Sequence, residues 1–423
     1  MQIGKNILNL KKNYTTHNKC RACLSKEVVD LYNLKKTPLE DVYLKKINRK
    51  TKLKKYPTTL SLCRKCCYVF LKQTVNPDLS YKRYIYKTST TSGLSNHYDD
   101  YAIREIKRFK LNSKSIVLDI GSNDGSLLNS FKKNNIKTLG VEPAKKISNF
   151  ANKKKIKTIN SYFNDNCANI IKKKYEKIDH ITANYMLANV LDLNNFFENI
   201  NKILSPTGVF VIETGYHPEQ FKKYMFDYIY HEHFSYFTIT FLNNFLKKHK
   251  MYIYDIKSTA PKGGSIKIYV KQRLKTEPIK KIVKIFLKKE VRLGVNTSSY
   301  FNAFFKKIEK KKYEVINLLN KLKKNKKLIV GIGASHSVTT LIYNFELNKY
   351  LNCLVDDNKI KHKTYSPGFN IPVYSTKKIL SIKPDYLIIL GWQHQNTIIN
   401  KHKKLLQLGT KFIIPLPYLK IIK

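Results

Sequence analysis

Two segments of the sequence carry residue types and spacings that suit chemistry on a small molecule. The first, VLDIGSNDG, is an apolar run that ends in Asp119 and continues through Gly121 to Gly125. Glycines tolerate backbone angles that other residues avoid, so the pattern predicts a strand, a tight turn and a helix from Ser126 to Lys133. The N-terminal amides of that helix would face a crevice, so the segment predicts a loop against which a cofactor packs closely.

A second acidic residue, Glu142, ends the next apolar segment, TLGVEP, about twenty residues further on. A carboxylate there could accept hydrogen bonds from both ribose hydroxyls of a nucleoside. Asp-x-Gly-x-x-x-Gly with this distant acid resembles the S-adenosylmethionine (SAM) site of class I methyltransferases more than the Gly-x-Gly-x-x-Gly of dehydrogenases, because the middle glycine is missing. A dinucleotide enzyme and an ordinary strand-turn-helix without a ligand stay open as alternatives.

The second segment, FDYIYHEHFSYF, places two histidines, a glutamate and several tyrosines after the fifth predicted strand. Catalytic groups of open α/β sheets gather at the carboxyl ends of the strands. Tyr230, His231, Glu232 and His233 are therefore candidates for moving a proton: histidine titrates near neutrality, glutamate can orient an imidazole, and a phenol can support an oxyanion. A packing loop rich in histidine and tyrosine is the alternative. A metal site is disfavoured, because adjacent residues seldom all face one ion.

Four of the seven cysteines form two Cys-x-x-Cys pairs, Cys20 with Cys23 and Cys63 with Cys66. Two such turns can enclose one Zn²⁺ with four thiolates, a closed shell with no open position for water. The pairs lie further apart than in usual zinc ribbons, so a redox pair and unliganded core cysteines stay open as alternatives. Cys67 directly follows Cys66, and we expect it to be a poorer ligand.

Length and charge limit the class of protein. A chain of 423 residues predicts two or three domains at about 100 to 200 residues each. The net charge of +51 would favour nucleic acid or a membrane surface as a partner, but lysine is scattered evenly and arginine forms no patches. We therefore expect no specific nucleic acid, although an anionic nucleotide substrate would be attracted. No apolar stretch approaches the about 20 residues of a membrane span and the N-terminus lacks a signal-peptide core, so we expect no membrane partner and a cytoplasmic location.

Apolar strands alternate with amphipathic helices over the middle of the chain, which predicts an α/β fold with a doubly wound parallel sheet. A long lysine-rich helical stretch follows, and it predicts a helical hairpin that joins domains. The segments LIVGIGASHS, LNCLVDD, DYLIILGW and KFIIPLP then predict four parallel strands of a smaller Rossmann-like domain. The strands predicted for the first sheet cover residues 115–120, 137–142, 157–160, 177–183, 208–214, 252–257 and 265–271.

Several motifs in fixed order resemble one family. They are the two cysteine pairs, YIYKTSTTSGLSNHY, GSNDG, GVEPA, ANYMLANV, YHEH, GGSIKIYV, GIGAS, YSPG and IIPLP. This set resembles the bacterial three-domain C-methyltransferases of nucleotide-linked 4-keto-deoxysugars, which make branched sugars for antibiotics and surface polysaccharides. The resemblance covers essentially the whole chain. It implies a zinc-binding domain over residues 1–80, a class I methyltransferase domain over 81–272, and a helical linker with a C-terminal Rossmann-like domain over 273–423.

The resemblance also implies roles for individual residues. His233 corresponds to the base that removes the proton next to the ketone, with Tyr230 and Glu232 supporting it, and SAM then methylates the enolate carbon. The residues expected to bind the cofactor are Asp119, Gly121, Ser122, Asn123, Gly125, Glu142, Pro143 and Asn184. The residues expected to contact the substrate are Tyr86, His231, Gly333 and Tyr365.

Two positions depart from the family. Members that methylate C3 commonly have histidine where this chain has Asn189, and asparagine can donate a hydrogen bond to an enolate but cannot shuttle a proton. His336 follows the glycines of GIGASHS, where a serine also replaces a common lysine, so the sugar or its carrier would be held differently. An O-methyltransferase therefore stays as an alternative. The net charge keeps a zinc-containing RNA-binding protein or RNA methyltransferase as an alternative of another class. We expect a monomer or a homodimer.

Overall fold

The computed structural model describes residues 13–48, 51–81, 84, 87–90, 94–259, 263–273 and 278–423. Within these residues the chain forms three regions that follow one another in sequence. An N-terminal antiparallel unit is followed by a larger α/β sheet and then by a second α/β sheet, and two long helices connect the last two.

The N-terminal region consists mainly of antiparallel strands. β2, β3 and β4 pair in order, and β1 pairs with β5. The elements are β1 (Tyr14–Thr16), β2 (Val28–Thr37), β3 (Tyr56–Cys63), β4 (Val69–Leu71), β5 (Gln73–Val75) and the short helix α1 (Asp78–Tyr81). One Cys-x-x-Cys turn precedes β2 and the other follows β3, so the antiparallel pairing of β2 with β3 brings the two turns to the same end.

The middle region is a sheet with helices on both faces. Its strands are β6 (Ile116–Ile120), β7 (Lys137–Val141), β8 (Thr158–Ile159), β9 (Ile178–Asn184), β10 (Leu204–Gly215), β12 (Met251–Thr259) and β13 (Ser265–Gln272). The helices are α2 (Leu94–Phe109), α3 (Ser126–Lys133), α4 (Lys145–Lys153), α5 (Asp165–Tyr175), α6 (Leu193–Ile203), α7 (His217–Lys222) and α8 (Ile239–Lys248). Between α7 and α8, the two-residue strand β11 (Ser235–Tyr236) leaves this sheet and pairs with β4 of the N-terminal region.

The strand order of the middle sheet is β12-β13-β10-β9-β6-β7-β8. The chain runs outward from β6 to β8 and returns at β9 on the other side of β6, so a topological switch point lies between β6 and β9. Ligands of such sheets bind outside the carboxyl ends of the strands at this point. The predicted parallel sheet is wrong for β13, which runs antiparallel between β10 and β12 because a short connection joins it to β12.

Amphipathic helices cover this sheet, and α6 illustrates the pattern. Its buried side chains recur every three or four residues and face the sheet, where they join the main apolar core. Asp192 caps the helix by accepting a hydrogen bond from the Asn195 backbone N–H at 3.0 Å. The apolar spacing therefore sets which face is buried, and the cap sets where the helix begins.

The predicted helical hairpin corresponds to α9 (Lys281–Leu293) and α10 (Ser298–Lys324). Val283 and Phe286 of α9 join the core of the middle sheet, whereas Phe301 and Leu319 of α10 join a second core that is built from N-terminal strands, the segment around α7 and the C-terminal region. The two helices therefore belong to different cores.

The C-terminal region has five parallel strands and two antiparallel edge strands among its described residues, in the order β16-β17-β15-β14-β18-β19-β20. The four predicted strands correspond to β14, β15, β18 and β19. The sequence did not reveal β17, because Val373 is its only buried residue and no apolar run marks it. The elements are β14 (Ile329–Ile332), α11 (His336–Asn344), β15 (Cys353–Asp356), β16 (Thr364–Tyr365), β17 (Pro372–Ser375), α12 (Ile379–Ile382), β18 (Tyr386–Ile389), α13 (Gln395–His402), α14 (Lys404–Gln407), β19 (Lys411–Ile414) and β20 (Lys420–Ile422).

No helix within the described residues combines the length and the apolar character that crossing a bilayer requires.

Glu290 of α9 links the helical connection to the middle sheet. Its fully buried carboxylate accepts hydrogen bonds from the Tyr216 hydroxyl at 2.7 Å and from the backbone N–H groups of Ile239 and Thr240, both at 2.7 Å. The last two groups are unpaired donors in the first turn of α8, where a negative charge is favourable.

We expect Glu290→Ala to lower the free energy of unfolding by about 3 kcal/mol or more, because several buried donors lose their acceptor at once. Chemical denaturation of the purified protein measures this. Glu198→Ala, which removes an exposed carboxylate on α6, is the control and should change stability by about 0.5 kcal/mol or less. Equal stability losses in the two variants would contradict the linking role of Glu290.

Candidate functional site

The four cysteines of the two pairs converge at one end of the N-terminal sheet. The Cys20 and Cys66 sulfurs are 3.6 Å apart, the Cys23 and Cys63 sulfurs are 3.5 Å apart, and all four lie within 4.8 Å of one another. A tetrahedral zinc with Zn–S bonds of about 2.3 Å requires sulfurs about 3.8 Å apart. Cys67 adopts a positive φ of 62° that ends its turn, and it lies outside this cluster.

One residue of the first cysteine turn reaches the middle sheet. The Arg21 guanidinium donates hydrogen bonds to the Leu191 carbonyl at 2.7 Å and to the Phe234 carbonyl at 2.6 Å. It also donates to the Tyr68 hydroxyl at 2.9 Å. Leu191 closely follows Asn189 in the chain, and Phe234 directly follows His233. Arg21 therefore connects the two loops that carry these candidates.

The glycine loop after β6 has the geometry that its sequence predicts. Gly121 and Gly125 have φ values of 73° and 76°, in the left-handed region that favours glycine. A Cβ atom on Gly121 would lie 2.9 Å from Met186, and one on Gly125 would lie 2.8 Å from Ile156. Larger residues would therefore be strained and crowded at both positions.

Glu142 holds this loop in place from the end of β7. Its carboxylate accepts hydrogen bonds from the backbone N–H of Asn123 at 3.0 Å and of Ala144 at 2.8 Å. Burial raises the pKa of Glu142 above its ordinary value, although both backbone bonds oppose that shift. The neighbouring Pro143 carbonyl accepts a hydrogen bond from the Asn160 amide at 3.0 Å.

Asp119 and Asn184 lie at the carboxyl ends of β6 and β9, on either side of the switch point. The Asp119 carboxylate accepts a hydrogen bond from Thr182 at 2.6 Å, and burial raises its pKa to about 7. Both polar side-chain atoms of Asn184 are buried without a hydrogen-bond partner, and so is the Ser122 hydroxyl. Buried polar atoms without partners are costly, and they are typical of sites that a ligand completes.

The loop after α7 brings Tyr230 and His233 together. The Tyr230 hydroxyl and His233 Nε2 are 2.9 Å apart, and the two rings lie 4.1 Å apart. His233 Nδ1 lies 3.0 Å from the Tyr228 carbonyl, so the N–H is on Nδ1 and Nε2 carries the lone pair of the neutral ring. A backbone carbonyl therefore orients this imidazole, where the sequence had predicted Glu232 for that role.

Glu232 pairs with a different histidine, which is a correction to the sequence prediction. Its carboxylate lies 3.5 Å from His336 Nε2 in the C-terminal region. Burial alone would raise the pKa of Glu232, but the charge of His336 lowers it below the ordinary value. His336 Nε2 also lies 3.9 Å from the Asp41 carboxylate, so residues distant in sequence meet here.

His231 is fully buried on the N-terminal side, and this position contradicts its predicted contact with substrate. Its Nδ1 lies 2.7 Å from the Glu40 carboxylate, and its Nε2 lies 3.0 Å from the Thr58 hydroxyl. Burial would lower the pKa of His231, but Glu40 raises it above the ordinary value. This histidine joins two regions of the fold and presents no surface to a ligand.

The amide of Asn189, which could donate a hydrogen bond to an enolate oxygen, contacts Tyr81 in the structure. Its Nδ2 donates a hydrogen bond to the Tyr81 hydroxyl at 2.6 Å, while its Oδ1 is buried without a partner. Burial raises the pKa of Tyr81 well above its ordinary value, and the nearby Glu232 and Glu142 carboxylates add to this shift. Tyr81 was not predictable from the sequence, because nothing in a short helix distinguishes one tyrosine among the many in this chain.

The remaining substrate candidates lie apart from one another. Gly333 follows β14 with a φ of 113°, and a Cβ atom there would lie 3.0 Å from the Gly391 nitrogen. Tyr365 lies on the edge strand β16, with β17 and β15 between it and β14, and its backbone pairs with Leu44. Tyr86 lies outside the described residues.

Comparisons with known proteins agree with this organisation. Family models match in order as "Putative zinc binding domain" over residues 20–81, "Methyltransferase domain" over 95–251 and "C-methyltransferase C-terminal domain" over 260–417. A curated relative, C-methyltransferase NovU of Streptomyces niveus, is 25% identical over 406 residues, which cover 96% of this chain and 97% of that protein.

Solved structures resemble a smaller part of the chain. A SAM-dependent methyltransferase from Clostridium acetobutylicum ATCC 824 is 16% identical, with 42% of this chain and 92% of that one covered and a TM-score of 0.34. A geranyl diphosphate C-methyltransferase from Streptomyces coelicolor A3(2) is 12% identical, with 42% and 79% covered and a TM-score of 0.34. At these TM-scores neither structure bears on the activity.

The methyltransferase domain, with its switch point between β6 and β9, makes this chain a class I SAM-dependent methyltransferase. Because a zinc-binding domain precedes that domain and a C-methyltransferase C-terminal domain follows it, the chain belongs to the three-domain C-methyltransferases.

The residues of both sites fit the groups that this family implies. Four sulfurs at tetrahedral spacing suit Zn²⁺, and cysteine thiolates are its usual structural ligands. At the switch point, the unpaired Asn184 and Ser122 atoms and the Asp119 and Glu142 carboxylates offer polar partners for an amino acid and a nucleoside, the two parts of SAM.

We expect the purified protein to contain about one zinc per chain, as a closed four-thiolate site binds a single ion. Cys20→Ser and Cys63→Ser should each lose the metal and destabilise the fold, because a structural zinc contributes directly to folding. Elemental analysis and thermal unfolding measure the two effects. Cys67→Ser, adjacent to the cluster but outside it, is the control and should keep its zinc. Wild-type protein that is folded and free of metal would contradict the assignment.

Proposed function

We propose that this methyltransferase transfers a methyl group from SAM to carbon in a nucleotide-activated keto-deoxysugar, through an enolate formed by a histidine base. The ordered motifs from the cysteine pairs to IIPLP and the match to a named C-methyltransferase along nearly the whole chain support a carbon acceptor. The observation that carries the mechanism is the His233 imidazole, which has a fixed tautomer and a phenol beside its basic nitrogen.

The cofactor side of the proposed mechanism rests on the loops at the ends of β6, β7 and β9. When bound, SAM supplies an electrophilic methyl group on a sulfonium centre. The chain supplies orientation: the ribose hydroxyls would bind Glu142, and the Asp119 and Asn184 side chains would bind the amino acid part. The remaining contacts come from Gly121, Ser122, Asn123, Gly125 and Pro143.

The base side rests on the pair formed by Tyr230 and His233. A ketone makes the hydrogen on the neighbouring carbon acidic, and the lone pair of His233 Nε2 would accept that proton while the electrons of the C–H bond form the enolate. The Tyr230 hydroxyl would then be available to donate a hydrogen bond to the enolate oxygen. The Tyr228 carbonyl stabilises the imidazolium that results, because it accepts from Nδ1–H in both protonation states.

The surface charge suits an anionic substrate. The net charge of +51 attracts a sugar linked to a nucleotide through phosphates, without a requirement for any specific nucleic acid. The run from Lys153 to Lys155 is exposed at the end of α4, and the run from Lys172 to Lys174 is exposed on α5.

We expect Glu142→Ala to weaken the binding of S-adenosylhomocysteine by about 1.5 to 3 kcal/mol, the usual loss for hydrogen bonds to a charged group. Titration calorimetry measures this, with Glu198→Ala as the control that removes an exposed carboxylate elsewhere. Unchanged affinity in Glu142→Ala, or equal affinity of the wild type for NAD, would contradict the proposed cofactor contacts.

We expect His233→Ala to lower turnover by about 10²- to 10⁴-fold, the usual loss on removal of a general base, and to leave S-adenosylhomocysteine affinity unchanged. Mass spectrometry of a 4-keto-deoxysugar deuterated next to the ketone should show loss of deuterium to water with wild type only. His402→Ala, on α13 in the C-terminal region, is the matched control and should behave as wild type.

Asn189→His extends this test to the acceptor atom. If methylation at C3 is the native reaction, this variant should raise activity on a 4-keto-deoxysugar, since it restores the histidine expected there. Should Asn189→His abolish activity while His233→Ala retains it, both the proposed base and the proposed substrate are wrong. An oxygen acceptor would then be the better hypothesis.

A further inference from the structure

We propose that His336 is a positioning residue for the active site: it neutralises Glu232 and thereby keeps His233 in its basic, uncharged form at neutral pH. The predicted effect on turnover rests on the proposed function, in which His233 is the base. The predicted effect on the protonation of the His233 ring is independent of that function. His336 is the first residue of α11, so the C-terminal domain would contribute to proton transfer.

The geometry of four side chains carries this proposal. His336 Nε2 is a buried atom that lies 3.5 Å from Glu232 Oε1 and 3.9 Å from Asp41 Oδ2, with no hydrogen-bond partner of its own. Lys361 Nζ lies 2.6 Å from Asp41 Oδ1 and also donates to the Ala334 carbonyl. We call Asp41, Glu232, His336 and Lys361 the junction cluster, because they come from all three regions of the chain.

The junction cluster is neutral only if His336 is protonated. Two carboxylates then face one imidazolium and one ammonium, and no uncompensated charge remains in a largely buried place. Burial alone would lower the pKa of His336, but Glu232 and Asp41 raise it to about 9. The imidazole is therefore charged at neutral pH. Besides these groups, the Tyr230 ring faces it at 5.7 Å and Lys361 opposes its charge.

The cluster acts on the proposed base through Glu232. Glu232 adjoins His233 in the chain, and the interaction between the two lowers the pKa of Glu232. The other groups that act on Glu232 are His336 and Asp41, while Tyr81 and Tyr230 lie in its field. Without the positive charge of His336, the negative charge of Glu232 would be uncompensated. It would then favour the imidazolium form of His233, which cannot accept a proton.

The test measures the titration of His233 directly. Histidine ring signals are followed by NMR between pH 5 and pH 10 on the full chain with S-adenosylhomocysteine, and His233→Ala identifies the signal of interest. In His336→Gln the midpoint for His233 should rise by about one pH unit, because the negative charge of Glu232 is no longer compensated. His336→Lys, which keeps the positive charge, should stay near the wild-type midpoint, and His402→Gln should be unchanged.

A second variant tests the direction in which the His233 midpoint shifts. It also provides an independent test if His336→Gln does not fold. Asp41→Asn removes a negative charge from the junction cluster, so the His233 midpoint should fall. A purely structural role for the cluster would give no such opposite shifts. If His336→Gln or Asp41→Asn leaves the His233 midpoint at its wild-type value, the positioning role is overturned.

The pH dependence of turnover separates this proposal from the proposed function. If both hold, the acidic limb of the rate profile should move to higher pH in His336→Gln by the same amount as the NMR midpoint, and activity should recover in alkali. If the His233 NMR midpoint shifts and the pH dependence of turnover does not, His233 is not the base. The electrostatic effect of His336 on His233 would still be supported.

Discussion

One side chain of the zinc-binding domain, Arg21, connects the metal cluster to both loops of the candidate active site. It lies between two cysteines of the metal cluster, and its guanidinium binds the Leu191 and Phe234 carbonyls, which belong to two separate loops of the middle sheet. A guanidinium presents several donors in a fixed plane, so it can hold two backbone segments in one geometry. The metal cluster therefore fixes Arg21, and Arg21 fixes the loops that carry Asn189 and His233.

Other contacts between regions reinforce this arrangement. The strand β11 leaves the middle sheet and pairs with β4, directly after the loop of Tyr230 and His233. His231 anchors the same loop to Glu40, and Glu232 reaches the C-terminal domain through His336. A single loop is thus held from three sides, so its catalytic candidates have little freedom to move. Preorganisation of this kind reduces the cost of orienting groups for reaction.

Part of the site was predictable because it depends on local rules. Gly121 and Gly125 adopt positive φ angles after a buried strand, and the sequence shows both the glycines and the strand. The cysteine spacing predicted a four-sulfur cluster in the same way. The histidine-rich loop was found too, but its residues alone did not distinguish His231 from His233, and only the family resemblance assigned them different roles. Contacts distant in sequence separate the two: Glu40 and Thr58 surround the buried His231, whereas His233 contacts Tyr230.

The sequence by itself determined the domain order, the main strands, the four-cysteine cluster and the glycine loop after β6, because each depends on residues close together in the chain. The tertiary structure decided which partner each ionisable group has. Glu232 pairs with His336, and Asn189 donates to Tyr81, across separations that no spacing rule covers. Charge interactions depend on distance in space and on burial, and both are set by how the three domains pack.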